Sequence, residues 1–361
     1  MSSLSVGIVG LPNVGKSTLF NALLQKQQAL AANYPFATIE PNVGVVPVPD
    51  KRLEVLAKIV NTEKLVPATV EFVDIAGLVA GASEGAGLGN KFLSHIREVS
   101  FILHVVRAFE DGNIIKEGSV DPLSDYQTIS TELQLSDISS LQKQVAPKGA
   151  LSPEQKERIN IIESWKVALN QAKNIRDVIS TDEERGLAKE LGLLTAKGEL
   201  VALNVSEHQL SEAESIRQQY SQTLGLPIEK LIVICAKLEA ELAELSEAER
   251  AEYLKDLGIE YSGLEVLIQQ AYHTLGLQSF YTAGEKEARA WTIRQGTTAP
   301  EAAGVIHTDF IKHFIRANVI SYDDYVACNG IKGAKEAGKL RQEGKDYVMK
   351  PDDVVEFLIG K

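Results

Sequence analysis

The sequence predicts an α/β fold on a mostly parallel sheet, and three observations carry that expectation. Short apolar runs bounded by turn residues alternate with helix-length stretches from Ser5 to Ile234, the pattern of buried strands covered by helices. A turn rich in special residues, Gly10–Gly15, joins the first strand to the first helix, giving a strand–turn–helix unit. Beyond Gly276 the texture changes to short β-like runs around a helix, which marks a second, small α+β domain.

Taken in order, Ser5-Val-Gly-Ile-Val9 reads as a short buried strand and Ser17–Leu24 as a helix. Further strands are expected at Val43–Val48, Val70–Val73, Phe101–Val106, Leu200–Leu203 and Leu231–Ile234, with a helix at Lys91–Val99. The interval from about 125 to 198 is too long for an ordinary crossover. It carries Leu133, Ile138, Leu141 and Val145 at helical spacing, then Ile159, Ile162, Trp165, Leu169, Ala172 and Ile175, with Pro147, Gly149 and Pro153 between. The economical reading is an inserted antiparallel helical hairpin, polar on its outer faces; the alternative is two amphipathic helices packed on the sheet. Glu239–Glu252 reads as a solvated acidic helix without chemistry. In the last domain, Ala290–Ile293 and Tyr347–Lys350 are the expected strands, around a helix near Thr308–Arg316. The expected domain spans are 1–277 and 278–361.

Composition limits the function classes. The 361 residues suffice for two or three domains. At 24% charged and 44% hydrophobic residues, the chain is neither disordered nor fibrous. Cys235 and Cys328 are the only cysteines and lie far apart, so no disulfide framework or CxxC motif is available and a reducing cytoplasm is the natural location. No apolar run nears the roughly 18 residues of a membrane span, and Met1–Gly10 lacks the basic start of a signal peptide. Neither a membrane nor sequence-specific DNA is expected as a partner. The net charge of −12 argues against indiscriminate coating of nucleic acid. From Gln278 onward, 12 Lys and Arg face 12 Asp and Glu, leaving 25 against 37 upstream. The near-neutral C-terminal domain is thus a candidate docking surface. Its cluster Lys332, Lys335, Lys339, Arg341 and Lys345 could touch RNA phosphate but is diluted by Glu336, Glu343 and Asp346, so a solvated helix face is the default reading.

Gly10-Leu-Pro-Asn-Val-Gly15-Lys16-Ser17 matches the pattern GxxxxGKS/T in full. Such a loop wraps phosphates in backbone N–H groups, its Lys reaches the β- and γ-phosphates, its Ser hydroxyl binds Mg²⁺, and the following helix directs its positive end at the anion. Asn13, Val14, Gly15, Lys16, Ser17 and Thr18 are therefore the candidate phosphate contacts, with Lys16 stabilising the transferred phosphoryl group. Asp74-Ile-Ala-Gly77 follows the strand Val70–Val73. Its Asp carboxylate suits the metal's water shell and Gly77 N–H suits the γ-phosphate. Between them, Asn33–Pro41 holds Thr38, the candidate switch hydroxyl that reaches Mg²⁺ only when the γ-phosphate is present. Five glycines in the thirteen residues Gly77–Gly89 give the backbone the freedom a switch loop needs.

These stretches resemble a known family. Asn13–Thr18, Tyr34-Pro-Phe36 with Thr38-Ile-Glu-Pro-Asn42, and Asp74-Ile-Ala-Gly-Leu-Val79 are similar to the Obg-related branch of the translation-factor GTPases. Gly85–Asn90, Arg289-Ala-Trp-Thr-Ile293, Ala303–Phe310 and Gly333–Gly338 narrow the likeness to the YchF/Obg-like ATPase subfamily. The resemblance implies an OBG-type P-loop domain with a coiled-coil insertion and a C-terminal TGS domain of β-grasp type. It also implies a cytoplasmic protein that hydrolyses ATP and binds the ribosome or its large subunit.

GTPases of this class read guanine with Asn-Lys-x-Asp at a strand end. Here Leu200–Leu203 ends in Asn204-Val205-Ser206-Glu207, without the Lys and with Glu for Asp. Adenine presents an acceptor at N1 and a donor at N6, the reverse of guanine's edge. The expectation is that main-chain groups around Val205 pair with adenine while Asn204 supports the loop and Glu207 borders the base. Cys235-Ala-Lys237 resembles the family's last nucleotide motif, although Cys235 reads equally as a core residue. Where many relatives use Gln after DxxG to orient the attacking water, this chain has Leu78, so slow turnover is expected. The main chain of the glycine-rich loop, a partner, or a monovalent cation near Asn13 remain as ways to position that water. His95 and His104 read as surface and core residues respectively, and Lys116 stands where the resemblance suggests a histidine. The expected function is a slow, Mg²⁺-dependent ATPase switch; a GTPase, or a scaffold that only binds nucleotide, are the alternatives.

Overall fold

The computed structural model describes residues 4–33, 42–75, 87–109, 121–144, 151–259 and 261–360. The chain divides into two compact units, one of Met1–Val45 with Glu71–Leu267 and one of Val46–Val70 with Ile268–Lys361.

The first unit is built from β1 (Ser5–Val9), α1 (Lys16–Asn33), β2 (Val43–Pro47), then, past α2 (Lys51–Val60) and β3 (Leu65–Val66) of the other unit, β4 (Thr69–Asp74), α3 (Gly87–Glu98) and β5 (Phe101–Arg107). It continues with α4 (Pro122–Gln142), α5 (Pro153–Asn170), α6 (Asp182–Glu190), β6 (Gly198–Asn204), α7 (Ala213–Leu224), β7 (Leu231–Ile234), α8 (Ala236–Glu244) and α9 (Glu247–Asp256). The sheet order is β2-β4-β1-β5-β6-β7. β1 runs parallel to both β4 and β5, β5 to β6, and β6 to β7. Every residue of β5 is buried, as an internal parallel strand covered on both faces requires. The C-terminal ends of β1, β5, β6 and β7 lie side by side, the edge at which open α/β sheets bind ligands.

Both readings of the long helical interval hold for part of it. Ile129 and Leu133 of α4 pack with Val9, Ile96 and Ile102 on the sheet. Further along α4, Leu141 joins Ile162, Trp165 and Leu169 of α5 and Leu187 of α6 in a core of their own. Asp137 ties α4 to the approach to β6, accepting from the Leu194 and Thr195 N–H groups at 2.8 Å each and from the Thr195 hydroxyl at 2.7 Å.

Glu239–Glu252 departs from the expected single solvated helix. It is broken at Leu245–Ser246 into α8 and α9, with a Ser246–Glu249 capping box. Glu239 is 4% exposed because it bonds to Ser262 and to the Leu264 N–H.

The second unit contains α2, β3, the end of α10 (Gly263–Thr274), β8 (Leu277–Ala283), β9 (Ala288–Arg294), α11 (Ala299–Ile306), α12 (Phe310–His313), β10 (Phe314–Ser321), α13 (Tyr322–Ala327), α14 (Ile331–Glu336), β11 (Arg341–Glu343) and β12 (Asp353–Ile359). Its sheet runs β11-β10-β12-β8-β9-β3. Ala299, Ala302 and Ala303 of α11 pack on Phe280, Val319 and Val355, the β-grasp arrangement. The stretch 46–70 belongs here, so this unit is discontinuous in sequence: β3 pairs with β9, the Tyr281 hydroxyl donates to Asp50, and Arg52 bridges Asp50 and Asp352.

Two local expectations are corrected. The helix near Thr308–Arg316 is a single turn, α12, after which Phe314 opens β10, whose run through Ser321 pairs with β12. Tyr347–Lys350 is not a strand of the sheet. It is held to the start of α11 by Ala299 N–H donating to the Tyr347 carbonyl (2.8 Å) and Met349 N–H donating to Thr297 (3.0 Å), which seats Met349 in the core. Among the described residues no helix is long and apolar enough to cross a membrane.

A buried polar chain underlies β5. His104 is 3% exposed and stacks on Tyr126 of α4, ring centroids 5.0 Å apart. The Tyr126 hydroxyl donates to Glu199 at 3.0 Å, and Glu199 pairs with Arg176 at 2.8 Å. Burial, then the charges of Arg176 and Lys16, push the His104 pKa down to about 3. An unfolded His titrates near ~6.5, so between these values the unfolded chain binds more protons and stability falls as the pH drops. From pH 7 to pH 5 this group alone is expected to remove about 2 kcal/mol. His104→Phe, which keeps the aromatic stack, should lose less stability over that interval by this amount. Urea midpoints of both proteins at the two pH values check it; identical pH responses contradict it.

Candidate nucleotide site

The turn after β1 takes the shape its sequence dictates. Asn13 and Gly15 have positive φ, 61° and 102°. A Cβ on Gly15 would lie 2.3 Å from Asn204 Nδ2, and one on Gly10 would lie 2.5 Å from the Val105 carbonyl, so neither position has room for a side chain. Val14 turns its side chain into the protein, where it is 1% exposed. Gly15 carbonyl accepts from Leu19 N–H at 3.0 Å, so α1 starts directly behind the turn with its N-terminus toward any anion held there.

A cleft of about 910 Å³ opens here, lined on one side by Asn13 and by Gly15, Lys16, Ser17 and Thr18. Lys16 is 8% exposed, and its ammonium donates to the Leu11 carbonyl at 2.7 Å, folding the side chain across the turn. Burial pulls its pKa down while Asp74 pushes it up. Asp74 closes β4 opposite Ile8 of β1; burial raises its pKa and Lys16 lowers it. Ser17 and Thr18 are exposed in the first turn of α1. The Ser17 hydroxyl and Asp74 carboxylate are hard oxygen donors, and among the described residues no cluster of His, Cys, Asp and Glu could hold a metal ion. That donor set fits Mg²⁺, which keeps several waters and shares substrate phosphates with one or two protein groups.

The other wall is formed by Asn204–His208, Cys235–Lys237 and Phe109. Asn204, at the end of β6, is 3% exposed. Its Nδ2 donates to the Val14 carbonyl at 2.9 Å, and its Oδ1 accepts from Ala236 N–H at 3.0 Å. It supports the loop, joining the phosphate turn to the turn that opens α8. The main chain at Val205 is partly committed: its N–H donates to the Ile234 carbonyl at 2.8 Å, and the Ser206 N–H donates to Gln209 at 2.9 Å. The expectation of main-chain pairing around Val205 is thereby narrowed to its carbonyl and to N–H groups of the helical turn Glu207–Glu212. Glu207 is exposed in the cleft and accepts from the Tyr253 hydroxyl at 3.1 Å. Cys235 is 4% exposed, its thiol pKa pushed up by burial, which makes it a core residue at the cleft floor rather than a nucleophile.

Thr38 and Gly77 fall outside the described residues, as do Leu78, most of the glycine-rich loop and Asn113–Lys116. His95 is exposed on α3 and His104 is buried in β5. Sequence reasoning missed Phe109, Ser206, His208 and Tyr253. Phe109 carries a legible signal: it follows the end of β5, beside the phosphate turn. Its ring lies under Arg107, with the guanidinium carbon 4.6 Å from the centroid and Nε donating to the Phe109 carbonyl at 3.0 Å.

Comparison with known proteins agrees with this geometry. Residues 5–145 match the MMR_HSR1 model, a 50S ribosome-binding GTPase family, and residues 277–360 match YchF-GTPase_C, a protein of unknown function (DUF933). The chain is 50% identical over 364 residues to the Ribosome-binding ATPase YchF of Bacillus subtilis (strain 168), covering 98% of this chain and 99% of the relative. It is 48% identical over 360 residues to the protein of that name from Escherichia coli O157:H7, covering 98% of each. Among solved structures, the Schizosaccharomyces pombe YchF GTPase superposes with a TM-score of 0.87 at 38% identity, covering 99% of this chain and 98% of that one. With a P-loop G domain, a β-grasp C-terminal unit and about half its residues shared with relatives over nearly its whole length, the chain belongs to the YchF family.

Proposed function

We propose that the protein is a Mg²⁺-dependent ATPase that prefers ATP to GTP, turns over slowly as a conformational switch, and binds the ribosome in the cytoplasm. The observation that carries the nucleotide choice is the wall opposite the phosphate turn. Asn204 spends both ends of its amide on the protein, no lysine follows it, and the carboxylate of Glu207 is engaged by Tyr253. None of the contacts that read guanine is built there, whereas the Val205 carbonyl and the start of the Glu207–Glu212 turn offer the acceptor and donors that adenine's N6 and N1 need. Phe109 offers a flat face for the base. The bacterial relatives are named ribosome-binding ATPases, which supports both the substrate and the partner; the fission-yeast relative is named a GTPase, which keeps guanine the competing reading.

In this reading the backbone N–H groups of residues 13–18 grip the β-phosphate, and Lys16 neutralises charge that develops on the γ-phosphoryl oxygens. Ser17 and Thr38 would hold Mg²⁺ directly and Asp74 through a water, and the ion would supply positive charge that offsets the charge of the phosphates. Gly77 N–H senses the γ-phosphate. His104, with its pKa near 3, is no water-activating base at neutral pH, and Leu78 cannot orient water. The attacking water is therefore left to the glycine-rich main chain, to a monovalent cation beside Asn13, or to the ribosome.

Three outcomes are expected. Direct titration should give tighter binding of ATP than of GTP; the reverse order rejects the adenine reading. Lys16→Ala should lower phosphate release by roughly 100-fold or more in the presence of ribosomes, in sodium and in potassium alike; release equal to the parent's would leave a nucleotide-binding scaffold as the function. Asn204→Ala strands the Val14 carbonyl and the Ala236 N–H, so nucleotide affinity should fall about tenfold, read by the same titration.

A further inference from the structure

Glu207 is the only carboxylate among the described residues that line the cleft. A carboxylate there is the one group able to accept simultaneously from guanine N1–H and its exocyclic amine. It would also place lone pairs against the N1 lone pair of adenine. Its backbone is fixed, because Ser206 caps the turn: the Ser206 N–H and hydroxyl both donate to Gln209 Oε1, at 2.9 and 2.6 Å. Only the Glu207 side chain is left to decide whether the carboxylate meets the base. That side chain is held by the Tyr253 hydroxyl, 3.1 Å from Oε1, which reaches it from α9, a separate helix beyond β7. Lys237, on the same wall, has a side chain 81% exposed and lies 4.0 Å from Glu241.

We infer that Tyr253 is a specificity-determining positioning residue: by donating its hydroxyl to Glu207, it withholds from the bound base the one carboxylate, among the described residues of the cleft, that can recognise guanine. The inference rests on the adenine-preferring reading of the site and names what enforces it. Tyr253 is not among the residues that line the cleft, and it acts through Glu207. Both partners are exposed at the surface, so removing the hydroxyl leaves a solvated carboxylate rather than a buried unpaired one, and the fold is not at stake.

The test is equilibrium titration of non-hydrolysable ATP and GTP analogues with the full chain, its Tyr253→Phe and Glu207→Ala variants, and the double variant. Tyr253→Phe should move the ratio of the two affinities toward GTP by about tenfold, and the double variant should return it to the Glu207→Ala value. A Tyr253→Phe ratio within about twofold of the parent's overturns the inference while the ATP preference stands. So does an equal loss of both affinities, which is the signature of a merely structural role, or a shift that persists without Glu207. A parent protein that binds the GTP analogue more tightly defeats the underlying reading, and the inference with it.

Discussion

One buried amide holds the nucleotide site together. Asn204 sits at the end of β6, donates to the Val14 carbonyl and accepts from the Ala236 N–H. The phosphate turn and the start of α8 would otherwise carry a carbonyl and an N–H facing a dry interior, each costing about 1–3 kcal/mol unpaired. The same side chain explains Gly15, since any Cβ there would collide with Asn204 Nδ2. A single side chain thereby joins the phosphate turn to the turn that opens α8.

That commitment has consequences at the base end. With Asn204 satisfied internally and the Val205 and Ser206 N–H groups used by Ile234 and Gln209, the wall keeps few free polar groups. In the proposed reading, discrimination between purines depends on a carbonyl, on the start of a short helical turn, and on where one carboxylate points, which is why a residue outside the cleft lining, such as Tyr253, is given a part in it.

Around the site, buried polar groups connect elements that apolar packing alone would leave free to slide. Asp137 clasps the turn before β6, and Arg176, Glu199 and Tyr126 link the inserted helices to the strand that ends in Asn204. Such networks are costly when half satisfied and rigidifying when complete. In the second unit, Asp50 and Arg52 perform the same service, fastening α2 to Tyr281 and Asp352 across more than two hundred residues of sequence.

The sequence by itself determined the parallel sheet and the phosphate turn, because both are local: continuous apolar runs and GxxxxGKS/T need only neighbouring residues to declare themselves. It also exposed Asn204–Glu207 as a departure from Asn-Lys-x-Asp, without the Lys and with Glu for Asp. Tertiary structure decided what pairs with what. That 46–70 joins the C-terminal unit, that α4 serves two cores, that Phe314–Ser321 is a strand, and that Glu239 is buried all follow from partners distant in sequence. The roles of Asn204 and Tyr253 are of the same kind. Hydrogen bonds to Val14, Ala236 and Glu207 join residues brought close only by the folded chain, and no periodicity or motif along the sequence encodes which distant donor will find which acceptor.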